Sequence, residues 1–153
     1  MNLIYIPFII AILDLFFVFF LIQRLNKVSS GREKIGAIAD AIREGAKTFL
    51  KREFITMLFI FILVAIGLGF LNKGIFPSLI FLVGALISSL AGYIGMMVAT
   101  SANVRTTSSA QKSFSEAFKT AIWGGQVMGF LVVGLGLLGV VIIWLIFEDA
   151  ELL

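Results

Sequence analysis

The stretch Ala91–Thr106, AGYIGMMVATSANVRT, decides how the rest of the chain is read. It opens as an apolar helix of membrane type. With no proline to stop it, it then runs on into Thr100, Ser101, Asn103, Arg105, Thr106 and Thr107. Those polar residues belong at or beyond a water interface, whereas most membrane helices end abruptly at charged flanks. Just upstream, Gly84, Ser88 and Gly92 lie four apart, so one helix face carries almost no side-chain volume and a neighbouring helix can approach it closely.

The composition extends this reading to the whole molecule. Sixty per cent of the 153 residues are hydrophobic, and the mean hydropathy is +1.10, far above soluble domains. Four apolar runs, 3–23, 54–71, 75–99 and 121–147, stand out. Each is long enough to cross about 30 Å of hydrocarbon at about 1.5 Å per residue. The fold class is all-α: a multi-pass helical membrane protein with four transmembrane helices in two hairpins and helix extensions on the cytoplasmic side. The chain holds no cysteine and no histidine. That removes disulfides, thiolate nucleophiles, the commonest general base and the commonest metal ligand. The pI near 9.5 does not point to nucleic acid, because the basic residues flank membrane spans.

Arg24, Lys27, Arg32, Lys34, Arg43, Lys47, Lys51 and Arg52 lie between the first and second spans, and Arg105, Lys112 and Lys119 lie between the third and fourth. Only Lys73 sits on the other side. The positive-inside rule therefore places loops 24–53 and 100–120 in the cytoplasm and both termini outside, with the acidic tail Glu148, Asp149, Glu151 in accord. The first span lacks a basic region ahead of it and a small-x-small cleavage pattern after it, so it reads as a true span rather than a signal peptide.

Ser30-Gly-Arg-Glu33 has capping-box spacing and predicts a helix from about residue 31 to 53 that continues into the second span. Ile35, Ile38, Ile42, Ala46 and Phe49 form its apolar stripe, suited either to docking on a partner or to lying on lipid headgroups. Ser113-Phe-Ser-Glu116 repeats the box and predicts the start of the fourth helix, leaving a connection around 108–112. Pro77 and Pro7 suit first turns, where a missing N–H costs nothing.

Few residues can carry chemistry. Asp14 is the one ionisable group deep in a span, about 15 Å below the basic interface by helical rise. It reads either as a proton or sodium relay or as a buried, hydrogen-bonded acid, and the second is favoured because no further carboxylate lies at that depth; Ser88 and Ser89 can donate to it. Gly124, Gly125, Gly129, Gly134, Gly136 and Gly139 crowd the fourth span, and Gly125–Gly129 is a GxxxG pair. Helix packing explains them better than anion binding, because they lie well inside a helix. Asp40 and Glu44 share a face at i,i+4 and could help hold Mg²⁺, but a charge-balanced surface with Arg43 and Lys47 is the simpler account.

Three blocks, 38–54 (IADAIREGAKTFLKREF), 84–106 (GALISSLAGYIGMMVATSANVRT) and 124–139 (GGQVMGFLVVGLGLLG), resemble the amino-terminal region of the membrane-embedded, ion-translocating inorganic pyrophosphatases. The resemblance implies a parent pump that couples hydrolysis of Mg²⁺-pyrophosphate to outward transport of H⁺ or Na⁺. It also implies a homodimer of many-helix subunits whose first four helices belong mainly to a supporting outer ring. The Asp- and Lys-rich substrate motifs of such pumps are not in this sequence. Its three aspartates, Asp14, Asp40 and Asp149, fall at three different levels and cannot converge on a polyanion. No catalytic, cofactor-binding or metal-ligating residue is therefore assigned, and the chain alone is expected to be inactive. The competing expectation is a self-contained four-helix membrane protein with a structural or interaction role, its glycine faces driving self-association.

Overall fold

The computed structural model describes residues 4–31, 33–71 and 75–147. They form α1 (Tyr5–Asn26), α2 (Glu33–Leu71), α3 (Phe76–Ala110) and α4 (Phe114–Phe147). All four are long and apolar enough to cross a membrane. Lys73 and the acidic tail lie outside the described residues, as do Arg32 and the side chain of Glu33, so the first capping box is not described there.

Helices α2, α3 and α4 run to 39, 35 and 34 residues, well beyond the roughly 20 that cross a bilayer. Each therefore continues past its apolar run, and the three extensions gather at one end. That end carries the C-terminus of α1 and the start of α4, together with Arg24, Lys27, Arg43, Arg105, Lys112 and Lys119; it is the basic end of the bundle.

The second capping box forms in part. Ser113 Oγ accepts the Glu116 N–H at 3.2 Å, which satisfies one of the orphan donors of the first turn of α4. Glu116 turns its carboxylate to Lys112 instead, at 4.0 Å. Because α3 stays helical through Ala110, the connection is shorter than the sequence suggests, with Ser108 and Ser109 buried inside the helix. Pro77 sits in the first turn of α3 as expected.

The helices pack in the order α1–α4–α3–α2, and α1 touches α3 only lightly. Chain order pairs α1 with α2, but the contact that organises the first helix is with α4. The core lies where α1, α3 and α4 meet, around Val18, Leu21, Ala91, Val127 and Leu131. Phe17 of α1 and Phe130 of α4 meet edge to face, 5.1 Å between ring centres. At the far end Ser78 Oγ donates to the Ala65 carbonyl at 2.7 Å in a buried bond that ties α3 to α2. The outer face of α2 is uncovered, with Phe59, Leu63 and Phe70 all more than 70% exposed.

Candidate functional site

Two polar places interrupt the apolar bundle. The first is at the basic end, where Arg105 reaches from α3 to the end of α1. Its Nε donates to the Val28 carbonyl at 3.1 Å, and Nη2 donates to Asn26 Oδ1 at 3.3 Å. Nη1 donates to the Ser101 carbonyl at 3.1 Å and also to Ser101 Oγ. A planar five-donor guanidinium can serve several such differently placed oxygens at once.

Arg105 also faces a polar cavity of about 340 Å³ between α2 and α3, lined by Asp40, Arg43, Thr100 and Ser101 among others. The charge of Arg43 acts on Arg105 across it. Among the described residues Asp40, Arg43, Glu44 and Lys47 form no ion pair within 4 Å, because the single one is Lys112–Glu116. The local pairing expected on that face is thus not formed. The side of α2 that approaches α3 carries Gly36, Ala39, Asp40 and Arg43 at this cavity, and Leu50, only 6% exposed, further along. Of the apolar stripe of the sequence reading, Ile38, Ile42 and Phe49 are exposed, Ala46 is half-buried, and the side chain of Ile35 lies outside the described residues.

The second place is Asp14. It does not meet Ser88 or Ser89. Ser89 Oγ donates to its own helix at the Ala85 carbonyl, 2.7 Å away, and Ser88 lines an apolar cavity of about 230 Å³ between α3 and α4. Asp14 Oδ2 instead lies against Gly134 of α4, where any β-carbon would collide with it, and Leu15 Cδ2 would stand 3.0 Å from that same β-carbon. Oδ2 is buried with no hydrogen-bond partner among the described residues. The acid as a whole is half-buried rather than buried as expected, and Oδ2 lacks the serine donors because of placement: α1 packs on α4, not on the serine-bearing α3.

The glycines divide in the same way. Gly124 is closed by Ala102 of α3, and a β-carbon on Gly95 would meet Met128 Cγ at 2.9 Å, so these positions and Gly134 are the close crossings. Among the described residues Gly125 and Gly129, the GxxxG pair, have nothing within 4 Å of a β-carbon, and neither do Gly84 and Gly92, so their small faces are open there. Gly84, Gly136 and Gly139 border the apolar cavity between α3 and α4.

Mg²⁺ requires several converging oxygen ligands. Among the described residues no group of three or more His, Cys, Asp or Glu side chains comes together, and Asp40 and Glu44 stand exposed. These residues do not fit the ion, and no step through it is assigned to them.

Four apolar spans, all neighbours antiparallel, with a polar basic end, define an integral multi-pass helical membrane protein. Within that class the chain belongs to the inorganic H⁺ pyrophosphatase family, whose model matches residues 12–152. It is 36% identical over 143 residues to a K(+)-insensitive pyrophosphate-energized proton pump of Methanosarcina mazei, covering 93% of this chain and 21% of that protein. A K(+)-insensitive pyrophosphate-energized proton pump 2 of Moorella thermoacetica is 37% identical over 140 residues, 92% of this chain and 20% of that protein. A Clostridium tetani protein, provisionally named a K(+)-stimulated pyrophosphate-energized sodium pump, is 39% identical over 119 residues, 78% of this chain and 18% of its own length. The chain spans about a fifth of the length of the curated relatives it matches.

Sequence reasoning located Asp14 and the glycine-rich fourth helix but not their meeting. It also missed Arg105 as the tie between α3 and α1. The only signal was an arginine in an unbroken helical run beyond a span.

Proposed function

We propose that the chain is the amino-terminal, outer-ring part of a pyrophosphate-energised ion pump, a supporting segment without hydrolytic activity of its own. The observation that carries this is the family match over nearly the whole chain against only a fifth of each relative's length. In this reading the complete assembly hydrolyses Mg²⁺-pyrophosphate, moves H⁺ or Na⁺ across the cell membrane and works as a homodimer. The metal and substrate are held by residues outside this segment. The basic end faces the cytoplasm and both termini lie outside, by the excess of Lys and Arg at that end. The open faces at Gly125, Gly129, Gly84 and Gly92 suit close approach by further helices.

The test isolates the chain from its native membrane with a mild detergent and measures Mg²⁺-dependent phosphate release from pyrophosphate. Activity that co-purifies with the chain, and disappears from the membrane when its gene is deleted, is the expected result. Isolation without any such activity overturns the proposal, and release by the purified 153-residue chain alone overturns the supporting role.

A further inference from the structure

At the basic end, the seam between α1 and α4 opens into a cavity of about 320 Å³. Lys27, Lys112 and Lys119 line it, with Glu116 as the single acid. Glu116 is only loosely engaged, 4.0 Å from Lys112 with both side chains more than half exposed, so the lining keeps a clear excess of positive charge. Arg24 adds to it, its guanidinium carbon lying 4.9 Å from the centre of the Trp123 ring at the cavity floor.

The hydroxyls are unequal. Thr120 Oγ1 donates to the Glu116 carbonyl at 2.8 Å, so Ser109, 3.2 Å away, donates to Thr120 and both protons are committed. Ser29 Oγ accepts from the Gly31 N–H at 3.2 Å and keeps its own proton to give.

Depth and surroundings select the ligand. Along α4, Glu116 stands about 10 Å above Trp123 by helical rise, enough to span a headgroup layer of about 5–7 Å. Indole rings concentrate at that boundary, and lysines reach up from it along their stems. Below the cavity the surface turns aromatic. Phe20 lies 5.8 Å beneath the Arg24 guanidinium, Phe17 stacks on Phe20, and Phe17 meets Phe130 across the seam. All three rings are at least one-third exposed. A basic pocket above an apolar track matches an amphiphile with an anionic head.

We propose that the cavity framed by Lys27, Lys112 and Lys119 binds the phosphate of an anionic phospholipid, whose acyl chains lie over Phe20, Phe17 and Phe130. The proposal rests on the outer-ring reading, in which this face of α1 and α4 is left to lipid; its lysines come from α4 and from the turns that follow α1 and α3. A lone phosphate or pyrophosphate shares the head's chemistry but not the use of the aromatic track, so the two sources separate by experiment.

Trp123 is the natural reporter once Trp144 is replaced (W144F). The chain, with whatever assembly partners co-purify, is placed in neutral-lipid nanodiscs. These are doped with phosphatidylglycerol or phosphatidylcholine carrying bromine near the headgroup end of the chains. Trp123 should be half-quenched at a several-fold lower fraction of phosphatidylglycerol than of phosphatidylcholine, and each of K27Q, K112Q and K119Q should reduce that preference about fivefold or less. Neutralising two charges at once on another helix (K47Q with K51Q) should leave it in place.

Inorganic phosphate, at ionic strength matched with chloride, should not displace the lipid. Displacement would uphold phosphate recognition while assigning the site to a free anion. Equal quenching by the two lipids, or equal loss with the K47Q–K51Q control, overturns the site.

Discussion

Arg105 of α3 donates its Nε hydrogen to the backbone carbonyl of Val28, just beyond the end of α1, over 3.1 Å. The two residues are 77 positions apart, and through this contact the unusual polar continuation of α3 becomes a fastening. The same guanidinium bonds Asn26 and Ser101, so one side chain orders the end of one helix against the side of another. Lysine presents a point charge and cannot reproduce that fork. R105K is therefore expected to lose ~1–2 kcal/mol of stability, and R105A at least as much. Thermal unfolding in detergent reads the loss, and hydrogen exchange should localise it to residues around 24–28. An unchanged exchange pattern there would count against the fastening.

Gly134 is the second point of fine tolerance. Its missing β-carbon is what lets Asp14 and Leu15 of α1 lie on α4. G134A should cost ~1–3 kcal/mol by overpacking, while G125A and G129A, whose surroundings are open in this chain, should be nearly silent in the isolated segment. In the complete assembly the latter two should become destabilising if later helices pack there. Comparing melting temperatures of both preparations separates internal from external packing faces.

Asp14 holds a buried carboxyl oxygen without a hydrogen-bond partner among the described residues. D14N preserves shape and removes the possibility of charge. Because no second carboxylate accompanies it, the variant is expected to keep pyrophosphate-driven ion transport by the complete assembly and to fold no less stably. Abolished transport with intact hydrolysis would make Asp14 part of the ion path instead.

Ser78 supplies a buried interhelical hydrogen bond to Ala65. Such bonds in membranes are worth ~0.6 kcal/mol on average and up to ~2, so S78A should lower stability by an amount in that range. S113A should cost ~1 kcal/mol by uncapping α4. The exposed Lys112–Glu116 pair should matter far less, and its small effect should fade with salt.

The packing order itself is open to a direct check. The sequence has no cysteine, so paired substitutions carry no background. F17C with F130C should join under a short bifunctional cross-linker, because the two rings meet, whereas F17C with F59C on the uncovered face of α2 should not. The reverse result would restore the α1–α2 hairpin as the organising contact.

By itself the sequence determined the number of spans, their extensions and the family resemblance. Those properties follow from apolar run length and local motifs. Only the tertiary structure decided that α1 lies on α4, that Gly134 and Gly124 close while Gly125 and Gly129 stay open, and that Arg105 finds Val28. The reason is physical: lipid tails are as apolar as a packed helix interface. Periodicity in a membrane helix therefore does not mark the buried face, and small residues permit contact on several faces without choosing one. At the basic end the choice fell to geometry, because a long side chain on an extended helix reaches carbonyls that no sequence spacing brings near it.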